Sequence, residues 1–503
     1  MGLNVRPSFE EFARLARGSN LIPIATEVVA DAVTPVGLLA SGWNESEHCF
    51  LLESVEGGER LGRYSIVSFE PRITLSQQNG KVTIRGVDGK TRETRDKSAV
   101  DALARYMRSF RAADVPGLPR FFGGAVGYLS YEMVHQFEKL PMKNPDHLGW
   151  PQASFMIGGD LFIFDHTRQL LSVVTCVEVD RPSEARRAYQ AGCRRLEKSL
   201  QRLRRPAMPA SKNGSRARAE ANFHSNVTRE AFMASVRKAK EFIGKGDIFQ
   251  VVLSRRQEKR SSASPLDIYR CLRVVNPSPY MYLMKMGDRA IVGSSPESLV
   301  RLEQGVAMTR PIAGTRRRGG TEQKDVALEK SLMADPKERA EHIMLVDLGR
   351  NDLGRVCRYG SVKVPDFMTV ERYSHVMHIV SEVVGQIRPG KDAFDLLRSV
   401  FPAGTVSGAP KIRAMEIIDE LETTQRGPYA GAIGYFSYSG NMDVAITIRT
   451  LLWDRGRVSI QTGAGLVADS DPATEWDETE NKAAGMKRTV ELAESGALFG
   501  VRR

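Results

Sequence analysis

Several features that would take this chain out of the soluble cytoplasmic class are missing from its sequence. No run of about 18 apolar residues occurs, so no membrane span is expected. The apolar segment of a secretory signal is excluded by the charged residues Arg6, Glu10, Glu11 and Arg14. The five cysteines are scattered, and no two of them form a C-x-x-C pair. Such usage is typical of a reducing cytoplasm, so we expect a cytoplasmic protein.

An even distribution of charge is also missing. The net charge is +12, but residues 194–218 carry nine Lys or Arg and one Glu, which leaves +4 for the other 478 residues. We interpret residues 206–223 as a basic linker between an N-terminal part, 1–205, and a C-terminal part, 224–503. No aromatic residues are interleaved with the basic ones, so no nucleic-acid partner is expected. A basic scaffold that binds nucleic acid stays as a competing hypothesis.

The order of helical and strand patterns predicts a mixed α/β chain of the α+β kind, with antiparallel sheets. Asn79-Gly80, between two alternating runs, indicates a β-hairpin. Helices are predicted at 9–17, 98–111, 183–203, 228–243, 265–274, 336–348, 391–400, 410–424 and 473–493. Strands are predicted at 63–69, 81–85, 153–164, 170–179, 374–384, 431–437, 442–452 and 457–462.

Two of these helices have the pattern expected around one hard metal ion. Each opens with Asp-Pro and then presents Glu-x-x-Glu, within 335–341 and 471–478. Asp is a preferred N-cap, Pro fits the first helical position, and residues three apart share a helix face. If the two helix starts face each other, their carboxylates and Lys482 surround a site suited to Mg²⁺ and a carboxylated ligand. Taken singly, each motif is also explained by helix capping and solubility.

Other polar residues could serve a carboxylated ligand. Residues 442–449 alternate, which predicts Arg449 on a small, polar strand face where it could clamp a carboxylate or form a surface salt bridge. His375 and His378 are three apart in a predicted strand, so they point to opposite faces and share no metal; either could act as a general acid or base. Gly463-Ala464-Gly465 indicates a strand end that lets backbone approach a ligand.

These motifs belong to a longer set of segments that resembles anthranilate synthase component I, a family of chorismate-utilising enzymes. The matching segments are 311–315, 339–353, 373–378, 401–411, 427–435, 463–465 and 477–482, together with 51–54 and 63–66. The resemblance implies two antiparallel sheets packed as a sandwich with helices on the outside. It also implies that ammonia aminates chorismate at ring C2 and that pyruvate is then eliminated, which yields anthranilate in the first step of tryptophan biosynthesis.

The resemblance further assigns roles to individual residues. It implies Mg²⁺ as the cofactor, held by Glu341 and Glu478, with Glu338 and Glu475 in supporting or capping positions. The implied catalytic residues are His378 for pyruvate elimination, Glu297 near the departing hydroxyl, and Gln250. The implied substrate contacts are Gly314, Thr315, Thr405, Tyr429, Arg449, Gly463, Ala464, Gly465 and Lys482.

Two positions help to choose among related enzymes. Ala313 stands where aminodeoxychorismate synthases typically have Lys, and Gln250 stands where isochorismate and salicylate synthases carry a Lys base. Both residues favour an ammonia-using anthranilate synthase. Arg317 departs from the usual Pro, which we interpret as a change in a surface loop. An aminodeoxychorismate synthase component and a non-catalytic regulatory paralogue stay as alternatives; the second would lack residues such as His378 and Arg449, which are present.

The sequence also predicts a partner and an inhibitor. No cysteine stands in the G-x-C-x-G context of a glutaminase nucleophile, so a separate glutamine amidotransferase subunit is expected. Residues 51–54 and 276–281 resemble the family's tryptophan pocket, which implies feedback inhibition by L-tryptophan. The residues of this implied pocket are Ser54, Pro277, Ser278 and Pro279.

Overall fold

The computed structural model describes residues 4–54, 62–204, 220–372 and 376–497. Within these ranges the α-helices are α1 Phe9–Leu15, α2 Pro35–Gly42, α3 Ala99–Arg108, α4 Ala185–Arg202, α5 Arg229–Gly244, α6 Pro265–Val275, α7 Glu322–Ala334, α8 Pro336–Gly354, α9 Ala393–Val400, α10 Gly404–Ser407, α11 Lys411–Leu421 and α12 Pro472–Ser495. None of these helices has the length and apolarity that crossing a membrane demands.

The strands of the described residues are β1 Leu21–Val29, β2 His48–Glu53, β3 Tyr64–Phe69, β4 Ile73–Gln78, β5 Lys81–Gly86, β6 Thr91–Glu93, β7 Gly124–Leu129, β8 Ala153–Ile157, β9 Asp160–Asp165, β10 Leu170–Glu178, β11 His224–Ser225, β12 Gln250–Arg260, β13 Tyr280–Met286, β14 Arg289–Ser295, β15 Ser298–Glu303, β16 Val306–Thr309, β17 Ile312–Arg317, β18 Lys363–Arg372, β19 Val376–Gln386, β20 Gly408–Ala409, β21 Ala432–Ser437, β22 Met442–Ile446, β23 Thr450–Asp454 and β24 Arg457–Leu466.

These strands form two 12-stranded sheets. The first sheet has the order β1-β10-β9-β3-β2-β13-β14-β23-β24-β12-β11, with β20 paired to β12. The second has the order β17-β19-β16-β15-β22-β21-β7-β8-β4-β5-β6, with β18 paired to β19. Neighbouring strands run antiparallel, for example β2 with β13 and β7 with β21. The antiparallel sheets predicted from the sequence are thus confirmed.

The two sheets pack face to face, and helices cover them. The apolar layer between them contains Phe121, Tyr128, Tyr282 and Ile433. Helices α2, α4, α6 and α12 pack against the first sheet, and α3, α8 and α9 against the second. Burying a large apolar side chain of this kind contributes about 1.5–3 kcal/mol, so these layers account for much of the stability. The predicted sandwich with outer helices is confirmed.

Each sheet contains strands from both parts of the sequence. The pairs β2–β13 and β7–β21 each join a strand that precedes the basic linker to one that follows it. Residues 205–219, most of the predicted linker, lie outside the described residues. The division into 1–205, 206–223 and 224–503 therefore stays a prediction about the sequence, and the two parts share one sandwich.

Two segments predicted as single strands cross from one sheet to the other. The strand predicted at 153–164 is wrong as one element, because Gly158, with φ of 74°, separates β8 in the second sheet from β9 in the first. The strand predicted at 442–452 is wrong for a similar reason. It consists of β22 in the second sheet and β23 in the first, and Arg449 lies at the crossing with φ of 50°. The alternating pattern of the sequence continues across both breaks, so it did not predict them.

Candidate active site

The two Asp-Pro helices begin as the sequence predicts. Asp335 caps α8 by accepting hydrogen bonds from the main-chain N–H groups of Lys337 and Glu338. Asp471 caps α12 in the same way, through Ala473 and Thr474. A capping carboxylate satisfies N–H groups that have no partner inside the helix, so both helix starts are well defined.

Within α8, the two glutamates have different partners. Glu338 accepts a hydrogen bond of 2.8 Å from Arg316, whose other nitrogen contacts Asp335, also at 2.8 Å. Glu341 accepts one of 3.1 Å from Gln250 Nε2. Burial raises the pKa of Glu341, and the neighbouring charges of Glu338 and Glu478 raise it further. Glu338 is thus paired with a cation of its own chain, whereas Glu341 forms no ion pair within the described residues, although the charge of Lys337 acts on it.

Within α12, Glu475 is buried, and its Oε2 has no hydrogen-bond partner among the described residues. Burial raises the pKa of this carboxyl. Glu478 lies one turn further and contacts Lys482 Nζ at 2.5 Å. Lys482 also donates to the main-chain oxygen of Gly463 at 2.9 Å. The predicted stripe of Glu475, Glu478 and Lys482 is present on the helix.

These carboxylates fit Mg²⁺, the cofactor that the resemblance implies. Among the described residues, no three His, Cys, Asp or Glu side chains already converge into a metal-binding cluster. Magnesium, however, is usually held by one or two carboxylates, and water and substrate supply its other ligands. Glu341 and Glu478 offer two such carboxylates close enough for their charges to interact, and the unpartnered oxygen of Glu475 lies on the same helix.

Glu297 lies in the turn between β14 and β15. Its Oε1 accepts a hydrogen bond of 3.0 Å from the Thr405 hydroxyl. Burial raises the pKa of Glu297 to about 7, although Thr405, Arg449 and Lys482 act in the opposite direction. A carboxyl with a pKa near neutrality can hold a proton and release it during a reaction.

His378 lies in β19 opposite Thr315 of β17. Its Nδ1 is 3.0 Å from the main-chain oxygen of Gly314 and 3.1 Å from the Thr315 hydroxyl. A carbonyl oxygen only accepts, so Nδ1 carries the hydrogen in the neutral ring and Nε2 is the basic nitrogen. Burial lowers the pKa of His378, which favours this neutral form. His375 lies outside the described residues.

A bulge at Gly314 sets the position of His378. The pairing of β17 with β19 shifts register between Ala313 and Thr315, and Gly314 has φ of 68°. A Cβ at this position would lie 3.0 Å from Glu338 Oε2. Glycine is therefore required both by the backbone angle and by the close approach of α8.

The backbone that carries Arg449 into the site differs from the one that the sequence predicted. The prediction that it lies on a strand face with Ala445 and Thr447 is wrong, because β22 ends at Ile446 and Arg449 has a left-handed backbone. The side chain is half-buried, and burial lowers its pKa while the charges of Tyr429, Glu478 and Glu297 raise it. A guanidinium held among these groups can still bind a carboxylate in bidentate geometry, through two parallel hydrogen bonds.

The glycine-rich segment of β24 brings backbone close to Tyr429 and Gln250. A Cβ at Gly463 would lie 2.7 Å from the Tyr429 hydroxyl, and one at Gly465 would lie 3.0 Å from Gln250 Nε2. Between them, Ala464 is fully buried. The residues predicted for the metal, the substrate and the chemistry thus form one connected set in the structure.

A buried hydrogen-bond network adjoins these site residues. The sequence did not indicate it. Arg426 is almost fully buried and donates to Glu422, at 2.6 and 2.9 Å, and to the main-chain oxygens of Val406 and Val252, both at 2.7 Å. Glu422 also accepts from the main chain and the hydroxyl of Ser254, at 2.8 and 2.9 Å. One guanidinium therefore ties together β12, α10 and the turn that precedes Tyr429.

A separate cavity of about 540 Å³ lies between the two sheets and contains part of the implied tryptophan pocket. Ser54 and Pro279 line it, together with aromatic residues such as Tyr282. The Ser54 hydroxyl is buried and has no hydrogen-bond partner among the described residues. Ser278 is buried next to Pro279, and Pro277 precedes it in the chain.

Comparisons with known proteins agree on one family. Residues 47–488 match the family model described as chorismate binding enzyme. The chain is 47% identical to anthranilate synthase component 1 of Acetivibrio thermocellus, over 97% of this chain and 99% of that protein. It is 48% identical to the protein of the same name from Pseudomonas aeruginosa, over 96% and 99%. The crystal structure of anthranilate synthase component I from Streptococcus pneumoniae superposes with a TM-score of 0.75 and 39% identity, covering 85% of this chain and 92% of that one.

Proposed function

Since this chain belongs to the family of chorismate binding enzymes, we propose that it is component I of an anthranilate synthase. In the proposed reaction, chorismate and ammonia give anthranilate, pyruvate and water. The relatives named for this activity support the assignment, because they match nearly the whole chain. The observation that carries it is Glu297, a half-buried carboxyl that accepts a hydrogen bond of 3.0 Å from Thr405, lies close to the charges of Arg449 and Lys482, and has a pKa of about 7.

Each step of the reaction finds a suitable group among these residues. Chorismate carries two carboxylates, and Arg449 is placed to bind one of them. Departure of the ring hydroxyl needs a proton, which the protonated Glu297 can donate so that the hydroxyl leaves as water. Elimination of pyruvate needs a base to take a ring proton and an acid to protonate the enol that leaves. The neutral His378, whose Nε2 is basic, suits the first of these roles.

Mg²⁺ would be held by Glu341 and Glu478. When bound, it would supply positive charge that neutralises the ring carboxylate of chorismate. Gln250 donates its amide N–H to Glu341 and thereby orients that carboxylate. Glu338 is held by Arg316 and Glu475 by burial in α12, which supports positioning roles for both.

The nearest alternative is component I of an aminodeoxychorismate synthase. That reading needs a lysine in place of Ala313, which is buried in β17 and brings no amine to the site. Gln250 likewise offers no base to activate water, which supports ammonia as the nucleophile. A regulatory paralogue without activity is disfavoured, because all the residues proposed for the chemistry and the metal are present together: Glu297, His378, Arg449, Glu341 and Glu478.

Identification of the product tests the proposal. Purified protein is incubated with chorismate, Mg²⁺ and ammonium, and the products are separated and weighed by mass spectrometry. We expect anthranilate and pyruvate in equal amounts. Aminodeoxychorismate as the only product would favour the alternative, and recovery of unchanged chorismate would contradict both enzyme assignments.

We also propose a separate amidotransferase as the physiological source of ammonia. The described cysteines support this, because four are buried and burial raises the thiol pKa, for example of Cys49 and Cys176 to about 12. A glutaminase nucleophile needs the opposite, a thiol that ionises readily. The name of these relatives, anthranilate synthase component 1, also supports the existence of a second component. Activity on glutamine by this chain alone would contradict the proposal.

Inhibition by L-tryptophan is proposed from the cavity between the sheets. Its volume of about 540 Å³ falls in the range of small-molecule sites, about 300–1,000 Å³. The aromatic walls suit the indole ring of L-tryptophan. The unpartnered hydroxyl of Ser54 can hydrogen-bond to the ammonium or carboxylate group of the free amino acid. Titration of the amination rate with L-tryptophan tests this, and an unchanged rate at saturation would refute it.

A further inference from the structure

A tyrosine side chain in the first sheet reaches over one strand to contact the next. Tyr282 of β13 is paired with Gly293 of β14, and Gly293 is paired with Thr450 of β23, so the three residues stand in one row across the sheet. The Tyr282 hydroxyl oxygen lies 2.7 Å from the Thr450 hydroxyl oxygen. Both side chains are buried, so water does not compete for this hydrogen bond.

Glycine at position 293 makes this contact possible. A Cβ on Gly293 would collide with the ring of Tyr282. Glycine within a strand often marks a place where another group approaches the backbone closely, and here that group is the tyrosine ring. Any larger residue would push the ring off β14 and move its hydroxyl away from Thr450.

The two hydroxyls form a chain of hydrogen bonds with one direction. Thr450 Oγ1 donates to the main-chain oxygen of Ile448 at 2.8 Å, and a carbonyl oxygen only accepts. This bond uses the one hydroxyl hydrogen of Thr450, so Tyr282 is the donor to Thr450. The bond from Thr450 to Ile448 spans Arg449, which lies between them in the chain. The tyrosine therefore stabilises the turn that carries Arg449.

The direction of the Arg449 side chain depends on this turn. Its φ of 50° lies in the left-handed region, which is costly for a residue other than glycine and is kept only where the surroundings hold it. Neighbouring charges act on the guanidinium, but no ion pair or hydrogen bond within the described residues fixes it. The path of the main chain thus sets where the guanidinium lies.

We infer that Tyr282 and Thr450 are positioning residues, which hold the Arg449 guanidinium in place for a carboxylate of chorismate. The inference rests on the proposed function, in which Arg449 binds that carboxylate. Tyr282 acts on Thr450, and Thr450 acts on the backbone at Ile448 and so on Arg449. Because bidentate pairing depends on alignment, loss of either hydroxyl weakens the binding of chorismate and leaves the chemical steps intact.

Two substitutions that preserve side-chain shape test the inference. Thr450→Val removes the hydroxyl that holds Ile448 and leaves the Tyr282 hydroxyl buried without a partner, so KM for chorismate should rise by at least about tenfold with kcat unchanged. Tyr282→Phe removes only the donor, so we expect a smaller rise of about threefold. Thr450→Ser keeps a hydroxyl and should retain the wild-type KM. Tyr282 also lines the cavity between the sheets, so the assays contain no L-tryptophan.

Tyr128→Phe is the matched control. Tyr128 is buried in the layer between the sheets, but its hydroxyl donates to the main-chain oxygen of Pro151 at 2.9 Å. The control loses a buried tyrosine hydroxyl without any change at Thr450, so KM for chorismate should stay at the wild-type value. Calorimetry with chorismate and Mg²⁺, but without ammonia, measures binding in the absence of turnover. The dissociation constants should change by the same factors as KM.

Each outcome of these measurements has a separate meaning. Lower melting temperatures with unchanged KM and dissociation constants would show a purely structural role and overturn the inference, as would an equal rise in KM in Tyr128→Phe. If Thr450→Val does not fold, an unchanged affinity of Tyr282→Phe for chorismate overturns it. Failure of the wild-type protein to form anthranilate would overturn the proposed function, and the calorimetric comparison would still decide whether the two hydroxyls position Arg449.

Discussion

Replacing Glu297 by glutamine removes the proposed proton donor and should change little else. The amide oxygen of glutamine can accept the same hydrogen bond that Thr405 now donates to the carboxyl at 3.0 Å. The side chain keeps its length and shape, so the half-buried turn between β14 and β15 should be preserved. What disappears is a group that burial holds at a pKa of about 7 against the pull of two neighbouring cations.

The size of the effect follows from that pKa. If the protonated carboxyl delivers its proton to the departing hydroxyl, kcat/KM for chorismate follows the protonated fraction and falls as the pH rises. With a pKa of about 7, the fall between pH 6 and pH 9 is roughly 100-fold. In Glu297→Gln the donor is absent at every pH, and kcat should drop by about 10²–10⁴.

Anthranilate fluorescence measures both effects, with ammonium as the nitrogen source. Rates must be expressed per unprotonated ammonia at each pH, because the titration of ammonia would otherwise raise the rate as the pH increases. Glu132→Gln is the matched control, since Glu132 is also buried with a pKa of about 7 but binds the main chain at Arg426 and Gly427. A Glu297→Gln variant that keeps the alkaline fall in kcat/KM would refute the reasoning.

Three further predictions concern the buried network, the metal and the inhibitor. Arg426→Met should lower the free energy of unfolding by about 3–5 kcal/mol, because it leaves the buried Glu422 carboxylate without its cation. Urea denaturation measures this change. Adding Glu422→Leu should recover part of that loss, and a still less stable double variant would contradict the account. Glu341→Gln should weaken Mg²⁺ binding by at least about tenfold in calorimetry, and equal affinity would exclude Glu341 as a ligand. Ser54→Phe should abolish inhibition by L-tryptophan with kcat unchanged, whereas persistent inhibition would exclude the cavity between the sheets.

Local rules of sequence predicted the elements that depend on neighbouring residues. Asp335 and Asp471 cap their helices as expected, because capping needs only a carboxylate and the next two or three N–H groups. Asn79 and Gly80 form the expected hairpin turn, with φ of 51° and 76°. The sandwich fold and the list of candidate site residues were predicted from the resemblance of whole segments, and not from the periodicity of apolar residues.

Features that depend on distant parts of the chain could not be predicted. Residues 442–452 alternate as one strand would, and no glycine marks the crossing at Arg449. The Arg426 network joins segments far apart in sequence, and an isolated Arg gives no sign that it will be buried with Glu422. The placement of Tyr282 across β14 likewise depends on the pairing of three strands, which no single segment encodes.

The crossing at Arg449 brings the cavity between the sheets and the candidate active site close together along one short stretch of backbone. Asp443 and Ala445 of β22 line the cavity between the sheets, and Arg449 follows within a few residues. Beyond the crossing, the main-chain oxygen of Arg449 accepts from Ser294 of the other sheet at 3.1 Å. A ligand that displaced β22 from the cavity side would move one end of this connection, and the left-handed backbone at Arg449 leaves a narrow range of rotation in which to absorb the displacement. The covalent chain itself can carry such a displacement to the Arg449 guanidinium, without a relay of side chains.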